Sequence, residues 1–401
     1  MHVRSEFKML LRPRKTIGRS RLFSPFTPSL SDSSQYDGSF IDHNGELQYL
    51  QTCKDFPYYI PPLLPKNPVD VRSFAFNSAP LSQSNPLGKV AEGCSHSVYR
   101  ARAPSGKIYY IKDLSQSNLH GLRDEHTAQF IAHQETFASW LMFHIFGPEL
   151  IPEVFPVKFK DKWGIASSEI KYFGTLHHLA QQLGYSDLQI EDGESALKVL
   201  NGQTFLMLPE GKEPIRVKGR ITLKVALHLL VAHYDLENSH KNIFMKLIPD
   251  PLHYRQVACP GMFDLGCVFD PFQMTNYIRT CSDPSKKAEL AAQLAINPVD
   301  AHIHELNVKD YEKITDRFFA KQTAFRRLAG LQRSQIEFGL EWFKENSPEE
   351  AHSFIKDKIA NYLYCSTDLA NSVSHEITNL IKTRAYDKEP VFERGATTLK
   401  R

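Results

Sequence analysis

The sequence predicts an α+β fold in which strands dominate the first half of the chain and helices the second. Two alternating apolar runs, 93–101 and 107–112, flank a turn at 104–106, a pattern typical of an antiparallel hairpin. Between Asp124 and Phe146, apolar residues recur at three-to-four spacing before a Gly-Pro stop, which predicts a long helix. Beyond Gly266 the apolar periodicity is helical.

The remaining elements follow from the same patterns. Two more strands are expected at 151–159 and 163–173. Five helices are expected in the C-terminal part, at Lys286–Ile296, Asp310–Leu331, Gln335–Asn346, Ser347–Tyr364 and Thr367–Arg384. Their apolar stripes are most simply explained by core packing.

Composition and charge limit the function classes. The chain has 401 residues, 42% of them hydrophobic, which is enough for one two-lobed unit with additions or about two to three ordinary domains. The formal net charge is only +3, so no overall attraction to nucleic acid is expected. No window approaches the roughly 18 apolar residues of a membrane-spanning helix, and no signal-peptide pattern opens the chain. We therefore expect a soluble protein.

The cysteine pattern bears on the cellular compartment. The six cysteines lack Cys-x-x-Cys spacing and are scattered along the chain, at Cys53, Cys94, Cys259, Cys267, Cys281 and Cys365. This spacing predicts neither a zinc site nor a disulfide framework. A reducing cytosol is the natural inference.

Both ends of the chain are predicted to be disordered. Residues 1–45 begin with a basic segment and continue into a Ser-, Pro- and Asp-rich run. A solvated arm is the simpler interpretation, and contact with an anionic membrane surface or a targeting role is the alternative. We interpret residues 46–87 as an irregular extension and residues 386–401 as a disordered tail.

The segment from Leu229 to Phe244 carries the most informative chemical pattern. An apolar helical run ends at His233-Tyr-Asp235-Leu, turns through a polar loop, and enters an apolar strand at Asn242-Ile-Phe. This order is expected to place Asp235 and Asn242 on the rim of one cleft. Phosphoryl transfer uses such a pair, because a carboxylate orients the attacking hydroxyl and an amide oxygen holds a divalent metal.

Two other segments supply charged groups. Downstream, Gly261-Met-Phe-Asp264-Leu-Gly266 places an acidic group on a predicted strand, followed by Gly. Upstream, Ile108-Tyr-Tyr-Ile-Lys112 places a lysine on a predicted strand. The chain therefore offers a cation, an amide and two carboxylates in a defined order.

These segments resemble the motifs of the protein-kinase superfamily. His233-Tyr-Asp235-Leu is similar to its His-Arg-Asp-Leu, Asn242 to its metal-binding Asn, and Asp264-Leu-Gly266 to its Asp-Phe-Gly. The resemblance implies a two-lobed protein-kinase-like fold with extra C-terminal helices. The small lobe would span residues 88–174 and the helical large lobe residues 175–385.

The resemblance also implies a reaction, the Mg²⁺- or Mn²⁺-dependent transfer of the ATP γ-phosphate to Ser or Thr of a protein. Asp235 would act on the acceptor hydroxyl and Lys112 on the phosphates, while Asn242 and Asp264 would bind the metal. An inward-facing helical carboxylate would hold the lysine. Glu135 is the candidate for this role. Glu125 is the fallback, but it lies in the first turn of the same helix, where its negative charge would interact favourably with the helix dipole.

The nucleotide loop of the resembled family is only partly present. Of its three glycines, which let the backbone approach the phosphates, this chain keeps Gly93 alone. Backbone or hydroxyl donors from Ser95, His96 and Ser97 would then have to bind the phosphates at the positions where the family has glycine.

The catalytic loop departs from the family pattern. Asp235 and Asn242 are seven positions apart instead of five, and counting back five positions from Asn242 gives Glu237. Glu237 is therefore an alternative catalytic carboxylate, although His233 and Leu236 frame Asp235 as the motif requires. No Ala-Pro-Glu-like anchor follows Gly266, so the usual activation segment is not predicted.

Within the superfamily, residues 135–141 and 147–154 are similar to the small lobe of atypical kinases of the HipA and phosphoinositide-kinase type. The degenerate motifs and helical C-terminal part also resemble effector kinases that intracellular bacteria such as Legionella deliver into host cells. That resemblance implies delivery by a specialised secretion system, a host-cytoplasmic location and a host protein substrate. A pseudokinase scaffold, and a phosphoinositide or small-molecule kinase on the same fold, are the alternatives.

A basic cluster precedes the helix that leads to Asp235. Its four positive charges lie within nine residues, at Arg216, Lys218, Arg220 and Lys224. A solvated basic surface is the simpler interpretation. The alternative is a pocket for a compact polyanion such as inositol hexakisphosphate, which would order the catalytic loop, and the resemblance to effector kinases points the same way.

Overall fold

A computed structural model describes most of the chain, namely residues 61–76, 97–114, 125–159, 161–186, 195–200, 203–209, 211–233, 241–250, 255–296 and 315–386. The predicted fold class is confirmed, because a curled sheet carrying one long helix precedes a mainly helical part, as in a kinase-like fold. The predicted domain bounds stay predictions. Residues 1–60 and 387–401 lie outside the described ranges, so disorder at the two ends also stays a prediction.

The main sheet contains six strands in the order β1-β5-β6-β4-β3-β2. These strands are β1 (Val69–Asp70), β2 (Ala75–Phe76), β3 (Ser97–Arg102), β4 (Ile108–Asp113), β5 (Val154–Phe159) and β6 (Lys162–Ser168). β3 and β4 form the predicted hairpin, and its turn uses Gly106 at a φ of 85°, which a residue without a Cβ adopts at little cost. The strand predicted at 163–173 ends earlier, at Ser168.

Residues 69–76 link the two edges of this sheet. β1 pairs in parallel with β5, and β2 pairs antiparallel with β3 at the opposite edge. Between them, Val71 is buried and packs together with Phe74 on the cluster that includes Tyr109 and Ile111. The predicted irregular extension therefore contributes two strands, which the sequence pattern did not reveal because each is only two residues long.

One long helix, α1 (Glu125–Phe146), packs on the sheet as predicted. It ends where the backbone turns at Gly147, whose φ is 71°. Nearly every side chain from Thr127 onward is buried or half-buried. A helix that is buried on all sides lies inside the protein and not on its surface, and α1 lies between the sheet and the C-terminal helices.

The part between Gly174 and Met262 contains more strand than predicted. Besides helices α2 (Leu176–Gln182) and α3 (Arg220–Leu229), it holds two three-stranded sheets in the orders β10-β9-β8 and β12-β11-β7. Their strands are β7 (Gly174–Thr175), β8 (Leu197–Leu200), β9 (Gln203–Leu206), β10 (Ile215–Arg216), β11 (Ile243–Asp250) and β12 (Arg255–Met262). The hairpin β11–β12 is in continuous register, with Ile243 opposite Met262.

The C-terminal part is helical, as predicted, with different bounds. Its helices are α4 (Pro271–Cys281), α5 (Pro284–Ile296), α6 (Thr315–Ala329), α7 (Arg333–Asn346) and α8 (Ala360–Tyr386). Before α8 the chain passes through a 3₁₀ turn, one α-helical turn and a π-helical turn at Ile355–Ile359. No helix among the described residues is long and apolar enough to cross a membrane.

The helices differ from the predictions in two places. The sequence analysis did not predict α4, although Asp270 accepts hydrogen bonds from the first backbone N–H groups and Pro271 opens the helix. It also predicted a break between Tyr364 and Thr367, where α8 is continuous. The Thr367 hydroxyl donates to the Leu363 carbonyl inside the helix, so this residue does not cap a new helix.

The structure also corrects the cysteine prediction. Cys281, at the end of α4, and Cys365, in α8, form a disulfide across a separation of 84 residues. Cysteine spacing could not predict this pair, because the packing of α4 on α8 brings the two residues together. The expectation of a reducing compartment rested on the absence of disulfides and loses that support.

Two buried histidines of α1 should make the stability of the protein depend on pH. Burial lowers the pKa of His133 and of His144 to about 4. The unfolded chain takes up protons below its pKa of about 6.5, whereas the folded chain does not until about 4. We therefore expect the melting temperature to be highest above pH 6.5 and to fall as the pH decreases toward 4.

His144→Leu tests this expectation, because neither ring nitrogen of His144 has a hydrogen-bond partner. An apolar side chain of similar size removes the unsatisfied groups, so the variant should gain about 1 kcal/mol at pH 5. Melting curves between pH 8 and pH 5 should show a shallower pH dependence for this variant. Replacing the half-buried His352 by Leu is the control, and an equal flattening there would contradict the assignment to His144.

Candidate active site

Lys112 lies on β4, and its side chain is largely buried. Along β4 the side chains alternate, and Tyr109 and Ile111 point into the apolar cluster on the other face of the sheet. Lys112 therefore projects with Tyr110 toward α1. Its Nζ lies 3.2 Å from Glu135 Oε2 and 3.1 Å from Asp264 Oδ1.

Glu135 reaches this lysine from the middle of α1, and its side chain is only 3% exposed. The fallback candidate, Glu125, is the first residue of the same helix, more than two turns away from Glu135. The structure thus brings Glu135 into contact with Lys112 from the position that the sequence analysis preferred. What Glu135 does in a reaction stays a prediction.

The sequence predicted that Asp264 lies on a strand. In the structure it lies two residues beyond the end of β12. Its Oδ1 accepts a hydrogen bond from the backbone N–H of Gly266 at 3.0 Å, which fixes the carboxylate toward Lys112. A Cβ on Gly266 would lie 3.1 Å from Asp264 Oδ1 and from Glu135 Oε2, so any other residue here would crowd both carboxylates.

Asn242 lies next to Asp264 through the β11–β12 hairpin. Its carbonyl accepts a hydrogen bond from the Phe263 N–H at 3.1 Å, which extends the pairing of Ile243 with Met262 by one step. The main chain therefore delivers Asn242 and Asp264 to the same end of one hairpin. An amide oxygen and a carboxylate oxygen are hard donors, which suit Mg²⁺.

The three charged groups influence each other strongly. Burial disfavours the Lys112 ammonium, but Asp264 and Glu135 outweigh this effect, and together they raise the pKa of Lys112. Burial also raises the pKa of Glu135, an effect that Lys112 opposes and Asp264 reinforces. One buried cation thus lies between two carboxylates, so the centre has anionic character and can accept a divalent cation.

The helix that leads toward Asp235 ends in a constrained backbone. Ala232 and Phe269 both have positive φ values, 44° and 55°, which are unusual for residues with a Cβ. Between these segments, Phe269 N–H donates to the Val231 carbonyl and Asp270 N–H donates to the Ala232 carbonyl. The segment after Asp264 therefore fixes the start of the predicted catalytic loop.

Several predicted site residues lie outside the described part of the chain, so their positions stay predictions. They are Gly93, Ser95, His96, Asp235 and Glu237. Ser97 is described: it is the first residue of β3 and pairs with Asp113, directly beside the pair formed by Val98 and Lys112. The pairing of β3 with β4 therefore places Ser97, the last residue of the predicted nucleotide loop, close to Lys112.

The sequence analysis missed a polar cluster on the same face of the sheet. The Tyr110 hydroxyl donates to Glu169 Oε1 at 2.9 Å, and Arg100 forms a salt bridge with the same oxygen at 3.1 Å. Burial, followed by the charge of Glu169, raises the pKa of Tyr110 to about 12, so the phenol is neutral at physiological pH. The alternation of β4 was a usable signal, because Tyr110 and Lys112 are two residues apart.

The comparisons with known proteins found one distant structural similarity. No family model matches the sequence, and no curated protein matches it. Among solved structures, the chain is similar to that of a Helicobacter pylori proinflammatory kinase, CtkA, at 12% identity and a TM-score of 0.36. The match covers 80% of this chain and 99% of that chain. Similarity at this level assigns neither a subfamily nor an activity, so the predicted resemblance to particular kinase groups stays a prediction.

Proposed function

We propose that this chain is an ATP-dependent phosphotransferase with protein-kinase-like chemistry. The contact of the Lys112 ammonium with both Glu135 and Asp264 is the observation that supports it most. A lysine fixed on a strand by a helical carboxylate can bind phosphate oxygens, and a carboxylate beside it can hold the metal that neutralises them. These residues are 23 and 152 positions from Lys112 in sequence, so the fold assembles them.

Asn242 and Asp264 would hold Mg²⁺ or Mn²⁺ in this proposal. Such an ion would supply charge neutralisation at the phosphates. Among the described residues no group of three His, Cys, Asp or Glu side chains forms a complete protein metal site. A magnesium site that also uses phosphate oxygens and water does not need one.

The proposed acceptor is a Ser or Thr hydroxyl of a protein, oriented by Asp235, with Glu237 as the alternative carboxylate. This part depends on the similarity of His233-Tyr-Asp235-Leu to the kinase motif. His233, where the described part of this motif ends, is buried, and its carbonyl accepts a hydrogen bond from Gln273 of α4 at 3.3 Å. A host protein as substrate and delivery into host cytoplasm also remain proposals.

Labelled ATP separates this proposal from its alternatives. Incubation with γ-labelled and α-labelled ATP should transfer label to protein from the γ position only. Transfer from the α position would indicate nucleotidyl transfer, and labelled lipid or small molecule would indicate a different acceptor. ATP binding without any transfer would favour a pseudokinase scaffold. The Asp264→Ala variant is the control for label that is not transferred by this site.

We also propose the basic cluster as a site for a compact polyanion such as inositol hexakisphosphate. Arg216 lies in β10, whereas Arg220 and Lys224 lie four residues apart on one face of α3. The first turn of α3 contains no acidic residue, and positive side chains at a helix N-terminus oppose the helix dipole. A bound anion would add negative charge at this helix N-terminus, where the helix dipole favours it.

Titration of inositol hexakisphosphate tests this site. Wild-type protein should melt at a higher temperature as the ligand concentration rises, by an amount equivalent to about 2.7 kcal/mol at 100 times the dissociation constant. The triple variant Arg216→Ala, Lys218→Ala and Arg220→Ala should not respond. The matched control is the double variant Lys356→Ala and Lys358→Ala, which removes two exposed lysines elsewhere in the chain. Identical curves for the triple variant and wild type would contradict this site.

A further inference from the structure

Helix α7 packs against the face of α1 that lies opposite Glu135. The residues of α1 on this face recur at helical spacing, at Phe130, His133, Phe137 and Trp140. At 3.6 residues per turn, these side chains point roughly 140–220° away from Glu135. The sheet contacts α1 on the Glu135 side, where Ala128 and Ala132 pack on Trp163. α1 is therefore held between the sheet and α7.

Aromatic contacts form most of this interface. Phe343 of α7 stacks on Phe137 with ring centroids 5.2 Å apart and on Phe130 at 5.5 Å. Phe137 also stacks on Phe269, which belongs to the segment after Asp264, at 5.8 Å. Because Phe137 and Phe343 are fully buried, a change in α7 reaches α1 through direct contact.

Gly339 allows the two helices to approach this closely. A Cβ at this position would lie 2.7 Å from both Phe137 Cε2 and Trp140 Cζ3, distances at which a neighbour must move. Gly usually weakens a helix interior by about 1 kcal/mol relative to Ala. Its presence in α7 is thus explained by the contact with α1 and not by helix propensity.

Polar contacts tie α1 to the same surroundings along its length. Gln129 Nε2 donates to the Asn346 carbonyl at the end of α7 at 2.8 Å, and Arg327 of α6 donates to the Ile145 carbonyl at 3.1 Å. Gln134, the neighbour of Glu135, donates to the Val268 carbonyl at 2.7 Å. These hydrogen bonds hold the first part of α1 against the end of α7, its middle against Val268 and its end against α6.

We propose that α7 is a built-in support that holds Glu135 against Lys112, and that Gly339 and Phe343 are positioning residues for the reaction. This inference rests on the proposed function for its catalytic consequence. Its structural content does not, because the Glu135–Lys112 contact at 3.2 Å depends on where α1 lies, whatever the pair does. A kinase built in this way keeps its helical carboxylate in place by packing and needs no separate event to move α1 inward.

Gly339→Ala is the test, because helix propensity and packing predict opposite results. Propensity alone would make the variant more stable. Packing predicts that α1 shifts, and a displacement near 1 Å at a catalytic group can reduce turnover on the order of 100-fold. We expect kcat to fall by about this factor while most of the protein stays folded at 25 °C. Glu341→Ala, on the exposed face of α7, should stay within about twofold of wild type.

A double-mutant cycle separates positioning from general destabilisation. If Gly339→Ala acts through Glu135, then adding it to Glu135→Gln should reduce kcat no further. An independent structural defect would reduce kcat by the same factor in both backgrounds and would overturn the proposal. If Gly339→Ala folds poorly, Phe343→Leu takes its place in the cycle. This variant keeps an apolar side chain but removes the stacking, and it should behave in the same way.

Hydrogen exchange of α1 gives a readout that does not need activity. Amides of residues 125–146 should exchange at least about tenfold faster in Gly339→Ala and Phe343→Leu than in wild type, and Glu341→Ala should leave them unchanged. Unchanged exchange and unchanged kcat in both variants would overturn the support by α7. If wild-type protein transfers no γ-phosphate at all, the proposed function fails, and the exchange data alone still decide whether α7 holds α1.

Discussion

Replacing Asp264 with Ala should abolish phosphoryl transfer, with a loss on the order of 1,000-fold or more in kcat. The carboxylate lies 3.1 Å from the Lys112 ammonium, and the hydrogen bond from the Gly266 N–H holds it in that position. In the proposed function it is the principal metal ligand. Its loss would remove charge neutralisation at the phosphates, which no remaining described side chain beside it would replace.

The variant should still fold, because Lys112 keeps Glu135 as a partner and no buried charge is left alone. Circular dichroism and a melting curve check this before activity is measured with γ-labelled ATP over a range of Mg²⁺ concentrations. Asp368→Ala removes a carboxylate from an exposed ion pair with Lys287 and should stay within about twofold of wild type. Near-normal turnover of Asp264→Ala would contradict the phosphotransferase assignment.

The sequence predicted the parts of the site that depend on periodicity. Strand periodicity predicted that Lys112 lies on β4, and helical spacing predicted that Glu135 lies inside a long helix. Both features are local, and the structure shows them within about a residue of their predicted bounds. Their contact could be anticipated only because the order of the motifs resembles one family, since spacing alone does not say that two elements touch.

The parts that the sequence did not predict depend on contacts between distant segments. The Cys281–Cys365 disulfide and the stacking of Phe137 on Phe343 join residues about 84 and 206 positions apart. Helix α4 was missed for another reason, because its buried stripe is short: Met274 is its one fully buried residue among those described. The N-terminal cap at Asp270 was the signal that could have predicted this helix, because its apolar periodicity is weak.

Hydroxyl side chains caused the false break in α8. Thr367 was interpreted as the start of a new helix, since Ser and Thr favour N-caps. In the structure the Thr367 hydroxyl donates back to the Leu363 carbonyl at 3.0 Å, and Ser366 is buried. A helix interior can satisfy a hydroxyl group locally, as the Leu363 carbonyl does for Thr367. Composition alone cannot distinguish the two arrangements.

Lys112→Arg should be nearly as defective as Lys112→Ala, with kcat/KM for ATP reduced on the order of 100-fold in both. The ammonium is a compact charge placed between two carboxylates, and a Cβ on Gly266 would already come within 3.4 Å of it. A guanidinium is planar and larger, so it would displace Glu135, Asp264 or the backbone at Gly266. Preserving the charge would not preserve the geometry.

Lys112→Ala differs in stability from Lys112→Arg. It leaves Glu135 and Asp264 close together without their shared cation, which raises the cost of burying Glu135. We expect Lys112→Ala to melt at a lower temperature than wild type at pH 8 and to recover part of this loss at lower pH, where Glu135 can take up a proton. The double variant Lys112→Met with Glu135→Gln removes both charges and should be more stable than Lys112→Ala at pH 8.

Kinetics with ATP then separate charge from shape. Lys107→Arg is the matched control, because Lys107 lies next to β4, pairs with Glu153 and is half exposed. It should keep kcat/KM within about twofold, since its ion pair tolerates a larger cation. Turnover near the wild-type value in Lys112→Arg would show that the cleft accepts a guanidinium. Wild-type turnover in Lys112→Ala would show that another cation binds the phosphates, and the assignment of Lys112 would then be wrong.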